Sequence, residues 1–513
     1  MALINISSLT FAYDGSYDNV FENVSFQIDT DWKLGFTGRN GRGKTTFLNL
    51  LLGKYEYSGS ISAPCSFEYF PYKVPDQGMD TVDFANSICP DHQHWELVRE
   101  LNLLELDDDV LYRSFDSLSK GEQTKILLSV LFLKQNSFLL IDEPTNHLDI
   151  HGRAVVRDYL NRKKGFILVS HDRAVLDGCI DHILSINKTN IEIQQGNFSS
   201  WLVNKERQDS FELAENEKLK KDIGRLSASA RRTSGWSDKV EKTKYGTKNS
   251  GLKADRGYVG HKSAKMMKRS KTIESRQKEA VEEKSKLLQN IEKSESLKVT
   301  QLAYHAKRLV TLEDVSIYYG EKTACQNVSF AIEQGDRIAL CGKNGTGKSS
   351  IIKLICGEEI SYTGNFAKAN NLALSYVSQD TSYLSGNLSG YARECGIDES
   401  LFKAILRKLD FSREQFDKDM KDFSDGQKKK VLIAKSLCEK SHLLLWDEPL
   451  NYIDIISRMQ IEGLLLQSSP TILFVEHDSM FCDKVATKKV LLDDMRDAWP
   501  TTGQLRCEVT VTR

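Results

Sequence analysis

The sequence predicts an α/β fold that occurs twice in tandem, with a long α-helical hairpin between the two copies. Three observations lead to this prediction. A set of short segments recurs in the same order in both halves of the 513-residue chain. In each half, apolar strand-like stretches lead into glycine-rich loops and then into apolar helix-like stretches. Between the halves lies a basic stretch with helical patterning that is interrupted by glycines.

The internal repeat fixes the domain organisation. Chance does not produce five matched segments in one order at nearly one spacing, so we interpret the chain as a tandem duplication. It predicts a first domain at 1–204, an intervening segment at 205–303 and a second domain at 304–513. The matched pairs are LTFAYDGSYDNVFENVSF (9–26) with VSIYYGEKTACQNVSF (315–330), GRNGRGKT (38–45) with GKNGTGKS (342–349), LSKGEQ (118–123) with FSDGQ (423–427), LLIDEPTNHLD (139–149) with LLWDEPLNYID (444–454), and VSHD (169–172) with VEHD (475–478).

The two GxxxxGK[ST] loops indicate phosphate binding. Each follows an apolar strand and precedes an apolar helix, so backbone N–H groups and a helix N-terminus can surround a phosphate. We expect Lys44 and Lys348 to reach the β- and γ-phosphates of ATP, and the hydroxyls of Thr45 and Ser349 to coordinate Mg²⁺. The residues predicted to line these loops are Gly38, Arg39, Asn40, Gly41, Arg42, Gly43, Lys44, Thr45, Thr46, Gly342, Lys343, Asn344, Gly345, Thr346, Gly347, Lys348, Ser349 and Ser350.

Each LLxDEP segment predicts a buried strand that ends in two carboxylates. We expect Asp142 and Asp447 to support Mg²⁺, and Glu143 and Glu448 to act as general bases towards the attacking water. The alternative interpretation is an acidic pair that caps the following helix. The phosphate loop about 100 residues upstream in both copies favours the catalytic interpretation.

The third element decides the superfamily. The segments SKGEQ and SDGQ resemble the signature sequence of ABC ATPases, and here they accompany the DEP strand and a following histidine. The resemblance implies two ATP-binding cassettes stacked head to tail, with each ATP held by the phosphate loop of one cassette and the signature of the other. The signature residues would be Ser119, Lys120, Gly121, Glu122, Gln123, Ser424, Asp425, Gly426 and Gln427.

This arrangement implies two composite sites. Site one would join Lys44, Thr45, Glu143 and His171 to Ser424 and Gly426, and site two would join Lys348, Ser349, Glu448 and His477 to Ser119 and Gly121. The two histidines would hydrogen-bond the γ-phosphate, and Tyr13 and Tyr319 lie where the family stacks an aromatic ring on adenine.

The two sites are predicted to be unequal. The family places a glutamine near the metal, and Gln379 occupies that position in the second cassette, whereas Tyr72 occupies it in the first. The second cassette also has NYID in place of NHLD. We therefore predict that the two sites turn over ATP at different rates.

The intervening segment is strongly basic. Between residues 225 and 278 there are 16 Lys or Arg and 4 Asp or Glu, which gives a net charge of +12. The flanks at 205–224 and 276–300 read as helices, and the four glycines at 246–260 are expected to break the helix and form a tip at about 245–260. The alternative is a disordered charged linker.

Paired cassettes with such a linker resemble the ABC-F family, and GWSDKVEKTK (235–244) and DRGYVGHKSAKMMKR (255–269) look like the Lsa-type antibiotic-resistance members. The resemblance implies a monomer that enters the E site of the bacterial 70S ribosome with ATP bound. Its linker would reach the peptidyl-transferase centre of 23S rRNA beside a displaced P-site tRNA and dislodge lincosamides, streptogramin A antibiotics and pleuromutilins. The basic and aromatic side chains expected to contact RNA there are Trp236, Lys244, Tyr245, Lys248, Lys253, Arg256, Tyr258 and Lys262.

Composition restricts the remaining alternatives. The ten cysteines are scattered singly, and no stretch has the length of apolar residues needed to cross a bilayer, so we expect a cytoplasmic protein without a membrane partner in the same chain. A housekeeping translation factor of the same fold remains an alternative, as does the ATPase subunit of a transporter. The tail at 496–513 does not match the first copy, and it is either a divergent strand pair or an artificial extension.

Overall fold

The computed structural model describes most of the two repeated halves and part of the segment between them. The described residues are 2–15, 19–72, 74, 78–186, 191–212, 214–215, 217–218, 221, 257, 260–262, 264–265, 267–269, 271–272, 275–276, 301–492 and 509–511. The chain divides into two compact units, Met1–Ser199 with Glu295–Arg513, and Ser200–Ser294. Both repeated halves therefore lie in one unit.

The first cassette alternates strands and helices as the repeat predicts. Its described strands are β1 (Leu3–Phe11), β2 (Phe21–Asp29), β3 (Lys33–Thr37), β4 (Ser58–Ser62), β5 (Ser66–Phe70), β6 (Ser137–Asp142), β7 (Phe166–Val169), β8 (His182–Ile186) and β9 (Ile191–Gln195). Its described α-helices are α1 (Lys44–Leu51), α2 (Thr81–Ile88), α3 (His94–Leu103), α4 (Lys120–Leu133), α5 (Ile150–Asn161) and α6 (Arg173–Cys179).

The second cassette repeats this order. Its described strands are β10 (Arg308–Tyr319), β11 (Lys322–Glu333), β12 (Arg337–Gly342), β13 (Ser361–Lys368), β14 (Leu374–Val377), β15 (Leu443–Asp447), β16 (Ile472–Val475), β17 (Lys488–Leu492) and β18 (Val509–Val511). Its described α-helices are α7 (Lys348–Cys356), α8 (Leu388–Glu394), α9 (Glu399–Lys408), α10 (Asp425–Cys438), α11 (Ile455–Ser468) and α12 (Ser479–Val485).

Each cassette has a small antiparallel sheet and a larger, mainly parallel one. The larger sheets run β5-β6-β7-β3-β8-β9 and β14-β15-β16-β12-β17-β18, and the smaller ones run β2-β1-β4 and β11-β10-β13. Strands β6 and β15 are almost entirely buried because helices cover both faces of a parallel sheet. Strands β6, β7 and β3 are parallel neighbours, so their carboxyl ends lie at the same edge of the sheet. The phosphate loop follows β3 at this edge.

Two features differ from the sequence-based expectations or extend them. Strand β18, within the unmatched tail, pairs antiparallel with β17, as β9 pairs with β8 in the first cassette. This pairing favours the divergent-strand interpretation of the tail. In the second unit, Gly257 and Gly260 are helical, although we expected both to lie in the helix-breaking tip. A glycine within a helix costs about 1 kcal/mol relative to alanine, and this local penalty does not prevent helix at either position.

Much of the predicted linker lies outside the described residues. Residues 205–212 are helical, within the helix predicted over 205–224, and residue 276 is helical at the start of the helix predicted over 276–300. Lys262 is helical and exposed. The other predicted RNA-contacting side chains, Trp236, Lys244, Tyr245, Lys248, Lys253, Arg256 and Tyr258, fall outside the described residues.

Candidate active site

The phosphate loops adopt a conformation that requires glycine. Gly43 and Gly347 precede α1 and α7 with φ of 92° and 84°, in the left-handed region. A Cβ atom on Gly43 would lie 2.6 Å from Val20 Cγ1, and one on Gly347 would lie 2.7 Å from the carbonyl oxygen of Ala324. Both the backbone angle and the neighbouring atoms therefore exclude a side chain, and the N–H groups at the start of each helix stay open.

The loop lysines are buried against their own loops. Lys44 Nζ donates to the carbonyl oxygen of Gly38 at 2.6 Å, and Lys348 Nζ donates to that of Gly342 at 2.8 Å. Burial lowers the pKa of Lys44, although the charges of Asp454, Glu143 and other neighbours partly offset it. Each loop thus holds a buried lysine amine, a group that suits phosphate oxygens when it is protonated.

Hard oxygen ligands meet at the end of each DEP strand. Thr45 Oγ1 donates to Asp142 Oδ2 at 3.3 Å, and Ser349 Oγ donates to Asp447 Oδ1 at 3.0 Å. A hydroxyl beside a carboxylate at the mouth of a phosphate loop is a donor set that suits Mg²⁺, which prefers a few protein oxygens and leaves the rest of its shell to water and phosphate. The residues present therefore fit the implied metal.

The proposed general bases lie on strained backbone. Glu143 and Glu448 have φ of 52° and 47°, which non-glycine residues rarely adopt, and their N–H groups donate to the carbonyl oxygens of Val169 and Val475. These bonds to the neighbouring strands hold the turn in place. Each carboxylate is thereby directed away from the sheet and towards the histidine that follows the next strand.

The histidines face these carboxylates. His171 Nε2 lies 3.3 Å from Glu143 Oε1, and His477 Nε2 lies 3.6 Å from Glu448 Oε1. Neither contact has the geometry of a hydrogen bond, so both ring nitrogens of His477, together with Glu143 Oε1, are buried without a hydrogen bond from or to the residues that the structure describes. Buried polar atoms of this kind are rare, so they mark a place that fits a phosphate oxygen and a water molecule.

The two carboxylates have different surroundings. Gln379 Nε2 and Asn451 Nδ2 each donate to Glu448 Oε2 at 2.8 Å. Burial alone would raise the pKa of Glu448, but His477, Lys429 and Lys348 outweigh it, and the net shift is downward. Burial, together with the charge of Asp142, raises the pKa of Glu143 to about 8.

In the first cassette, different side chains occupy the region that corresponds to Gln379 of the second cassette. Tyr72 lies near Lys134, whose Nζ is 5.9 Å from the centre of its ring. The hydroxyl of Tyr69 donates instead to Asp142 Oδ2 at 2.9 Å. Sequence reasoning did not find Tyr69, because a tyrosine in a strand carries no motif. Asn451 was also missed, although it lies within the repeated LNYID segment.

The signature segments lie at the N-termini of α4 and α10. Ser119 and Glu122 form a reciprocal capping pair, as do Ser424 and Gln427. A Cβ atom on Gly426 would lie 2.4 Å from the carbonyl oxygen of Tyr452 and 3.2 Å from Asn40 Nδ2. The second signature therefore abuts the first phosphate loop.

Two equivalent hydrogen bonds cross between the cassettes. Asn40 Nδ2 donates to the carbonyl oxygen of Tyr452 at 2.8 Å, and Asn344 Nδ2 donates to that of His147 at 3.2 Å. The exchange of NHLD for NYID leaves this contact intact because a backbone oxygen accepts the bond. A cavity of about 480 Å³ at site two is lined by Lys120 of the first signature together with Ser349, Glu448 and His477.

The predicted adenine-binding tyrosines are only half exposed. Tyr13 shares a hydrogen bond of 2.6 Å with Thr46 Oγ1, and its ring meets Phe11 and Tyr55 edge-on. Tyr319 is 48 % exposed, so part of its side chain is accessible to solvent. Outside these sites, no helix in the described part of the chain is both long and apolar enough to cross a membrane.

Comparison with known proteins gives the family. The family model described as ABC transporter matches residues 21–146 and 325–451, one match in each cassette. The ribosome protection protein VmlR of Bacillus subtilis (strain 168) is 28 % identical over 96 % of this chain and 87 % of its own length. The erythromycin resistance ATP-binding protein MsrA of Staphylococcus epidermidis is 26 % identical over 96 % of each.

Solved structures share the architecture. The crystal structure of the complex of archaeal ribosomal stalk protein aP1 and archaeal ribosome recycling factor aABCE1 contains a chain that matches with a TM-score of 0.62. The identity is 18 %, over 94 % of this chain and 87 % of that one, so this likeness bears on the fold alone. With two matched ATPase domains, paired phosphate loops and end-to-end relatives, the chain belongs to the ABC-F family of ATPases.

Proposed function

We propose that the protein binds the bacterial 70S ribosome and uses ATP to protect it from antibiotics that bind at the peptidyl-transferase centre. The observation that carries this proposal is the end-to-end similarity to VmlR, a ribosome protection protein. The likeness to the erythromycin resistance protein MsrA supports it. We assign the protein to the cytoplasm, associated with ribosomes and monomeric, with the two cassettes paired within one chain.

The basic segment at 205–303 is assigned to contact RNA, between cassettes at 1–204 and 304–513. Its net charge of +12 between residues 225 and 278 suits binding to phosphates. In the Lsa-type manner, with ATP bound, it would enter the E site and reach 23S rRNA beside the P-site tRNA. Lincosamides, streptogramin A antibiotics and pleuromutilins would be displaced there.

ATP hydrolysis is assigned to the two composite sites. Lys44 and Lys348 hold the phosphates, and Glu143 and Glu448 take the proton of the attacking water. The signature helix N-termini and the two histidines stabilise charge on the γ-phosphate. Bound Mg²⁺, held by Thr45 with Asp142 and by Ser349 with Asp447, would neutralise developing charge on the phosphates; Gln379 lies beside the second metal position.

Drug susceptibility tests the proposal. Expression in a susceptible Gram-positive host should raise the inhibitory concentrations of lincomycin and of a pleuromutilin. The variant with both Glu143→Gln and Glu448→Gln is the matched control, because it should bind ATP and the ribosome without turnover and give no protection. Unchanged susceptibility on expression of the parent protein would refute the resistance function.

The same double variant allows the binding site to be located. Because ATP stays bound when the general bases are removed, its complex with 70S ribosomes should be stable enough for structure determination. Density for the linker at the peptidyl-transferase centre would support the proposal, and density elsewhere on the ribosome would contradict the drug-displacement role.

A housekeeping role in translation is the second candidate. Over 94 % of its own length, the chain is also 26 % identical to the ATP-binding protein Uup of Caulobacter vibrioides. Its relatives therefore include proteins that are not named for resistance. This candidate predicts ribosome binding with no change in drug susceptibility. A transporter ATPase subunit would instead co-sediment with membranes rather than with ribosomes.

A further inference from the structure

One carboxylate of the second cassette contacts both arginines of the first phosphate loop. Asp410 Oδ2 lies 3.2 Å from Arg39 Nη1 and 3.9 Å from Arg42 Nη2. The Arg39 side chain is 6 % exposed and that of Asp410 is 32 % exposed. Because Arg39 is buried, its pair with Asp410 is screened less by water and salt than a pair on an open surface, and it should contribute more.

Asp410 is anchored to the signature helix of its own cassette. It lies in the turn after α9 with φ of 67°, and its N–H donates to the carbonyl oxygen of Arg407 at 3.0 Å. Lys430, on the signature helix α10, donates from Nζ to the carbonyl oxygen of Leu409 and to Asp454 Oδ2, both at 2.9 Å. The position of the Asp410 turn is thereby tied to α10.

At site two, the acidic side chain at the equivalent turn pairs within its own cassette. Glu105 is the counterpart of Asp410 and shares its left-handed backbone, with φ of 53°. Its Oε2 lies 2.7 Å from Nε2 of His151, in its own cassette. In the second phosphate loop Thr346 occupies the position of Arg42 and donates to the carbonyl oxygen of Lys343. The acidic turn of the first cassette is therefore engaged elsewhere.

We propose that Asp410 is a positioning residue that holds the signature side of the second cassette against the first phosphate loop, so that site one releases nucleotide more slowly than site two. The proposal rests on the head-to-tail sites assigned under the proposed function. Asp410 is not one of the residues assigned to hold nucleotide or metal; it acts through Arg39 and Arg42. Site one would then stay closed while site two opens and exchanges its nucleotide.

Nucleotide release from the full chain tests the proposal. The background carries Glu143→Gln and Glu448→Gln to prevent hydrolysis, and a fluorescent N-methylanthraniloyl ATP is displaced by excess ATP in a stopped-flow instrument. Two phases are expected. Lys44→Ala should remove the slow phase and Lys348→Ala the fast one, which assigns each phase to a site.

Asp410→Asn should then accelerate only the slow phase, by about tenfold, the factor that corresponds to 1.4 kcal/mol. Asparagine tolerates the left-handed backbone, so the turn is kept while the charge is removed. Asp410→Glu keeps the charge and should largely restore slow release. Glu105→Gln is the matched control and should leave both phases within about twofold, because Glu105 is a surface partner of His151.

Three results would overturn the proposal. Slower release from Asp410→Asn would mean that Asp410 only neutralises the arginines, which then bind phosphate more strongly. Equal acceleration of both phases, or equal effects of Asp410→Asn and Glu105→Gln, would indicate a general loosening of the cassettes. The assay contains no ribosomes, so its outcome does not depend on whether the protein protects ribosomes from antibiotics. Failure of the Asp410 proposal would likewise leave the antibiotic-protection proposal standing.

Discussion

The hydroxyl of Tyr69 donates a hydrogen bond of 2.9 Å to Asp142 Oδ2, the same oxygen that accepts from Thr45. Two hydroxyl donors thus fix the orientation of this carboxylate in the first cassette. At the equivalent place in the second cassette Asp447 accepts from Ser349 alone among the described side chains, and Tyr376, the counterpart of Tyr69, is not bonded to it. The two proposed metal positions therefore differ in how firmly their carboxylates are held.

This difference predicts unequal sensitivity to Mg²⁺. Tyr69→Phe should raise the Mg²⁺ concentration needed for half-maximal ATP binding at site one by about tenfold, since a lost partner of a metal-supporting carboxylate weakens metal binding to that extent. Tyr376→Phe is the control and should have little effect at site two. Binding is measured by fluorescence titration with Lys348→Ala or Lys44→Ala in place to isolate each site. Equal shifts for the two phenylalanine variants would contradict the prediction.

The two general bases should contribute unequally to turnover. Gln379 and Asn451 both donate to Glu448, whereas no described side-chain amide donates to Glu143, whose Oε2 accepts only a long bond of 3.4 Å from the backbone N–H of His171 among the described residues. Glu448→Gln should lower kcat by about 100-fold, the contribution of a positioned base, and Glu143→Gln by much less. Phosphate release under steady-state conditions gives both values. Equal losses would show that the sites act alternately or are equivalent.

A buried ion pair joins the cassettes away from the phosphate loops. Arg173 Nη2 lies 2.9 Å from Glu462 Oε2, and both side chains are almost fully buried. Arg173→Met should lower the free energy of unfolding by about 3 kcal/mol, because Glu462 loses a buried partner. Arg157→Met is the control: Arg157 pairs with the exposed Asp158, so its replacement should change stability little. Urea unfolding followed by circular dichroism measures both, and similar losses for the two variants would contradict the expectation.

Acid should weaken the first cassette through Glu100. Burial by itself raises the pKa of this carboxyl, but hydrogen bonds from Lys163 and Tyr159 outweigh it, so the folded-state pKa lies below its ordinary value. Ionised Glu100 therefore stabilises the folded state fully above the unfolded-state pKa of about 4.3. This stabilisation is lost as the pH falls through the lower pKa of the folded state.

Glu100→Gln tests this dependence. The variant should be less stable than the parent at pH 7, and the difference should shrink as the pH falls from about 5 to 3. Replacing the exposed Glu56 by Gln provides the control and should change stability little. A gap between Glu100→Gln and the parent that stays constant across this range would contradict the assignment.

Features that depend on residues close together in the sequence were predicted, whereas contacts between distant residues were not. The phosphate loops, the DEP carboxylates and the repeated cassettes are set by local segments, and each motif is legible within about ten residues. Tyr69, Asp410 and Arg173 were missed because their partners are distant in sequence and meet only in the folded chain. Gly257 and Gly260 are helical, contrary to the predicted break, because a glycine imposes only a local penalty; the rest of the predicted tip lies outside the described residues.

The left-handed backbone at Glu143 and Glu448 bears on how the protein would respond to laboratory evolution. Glycine or asparagine fits such angles at lower cost than glutamate does. A screen that selects for heat resistance alone would therefore favour replacing these two glutamates, and the most heat-resistant variants would hydrolyse ATP poorly. Any stabilisation programme for this chain would need to hold both positions fixed.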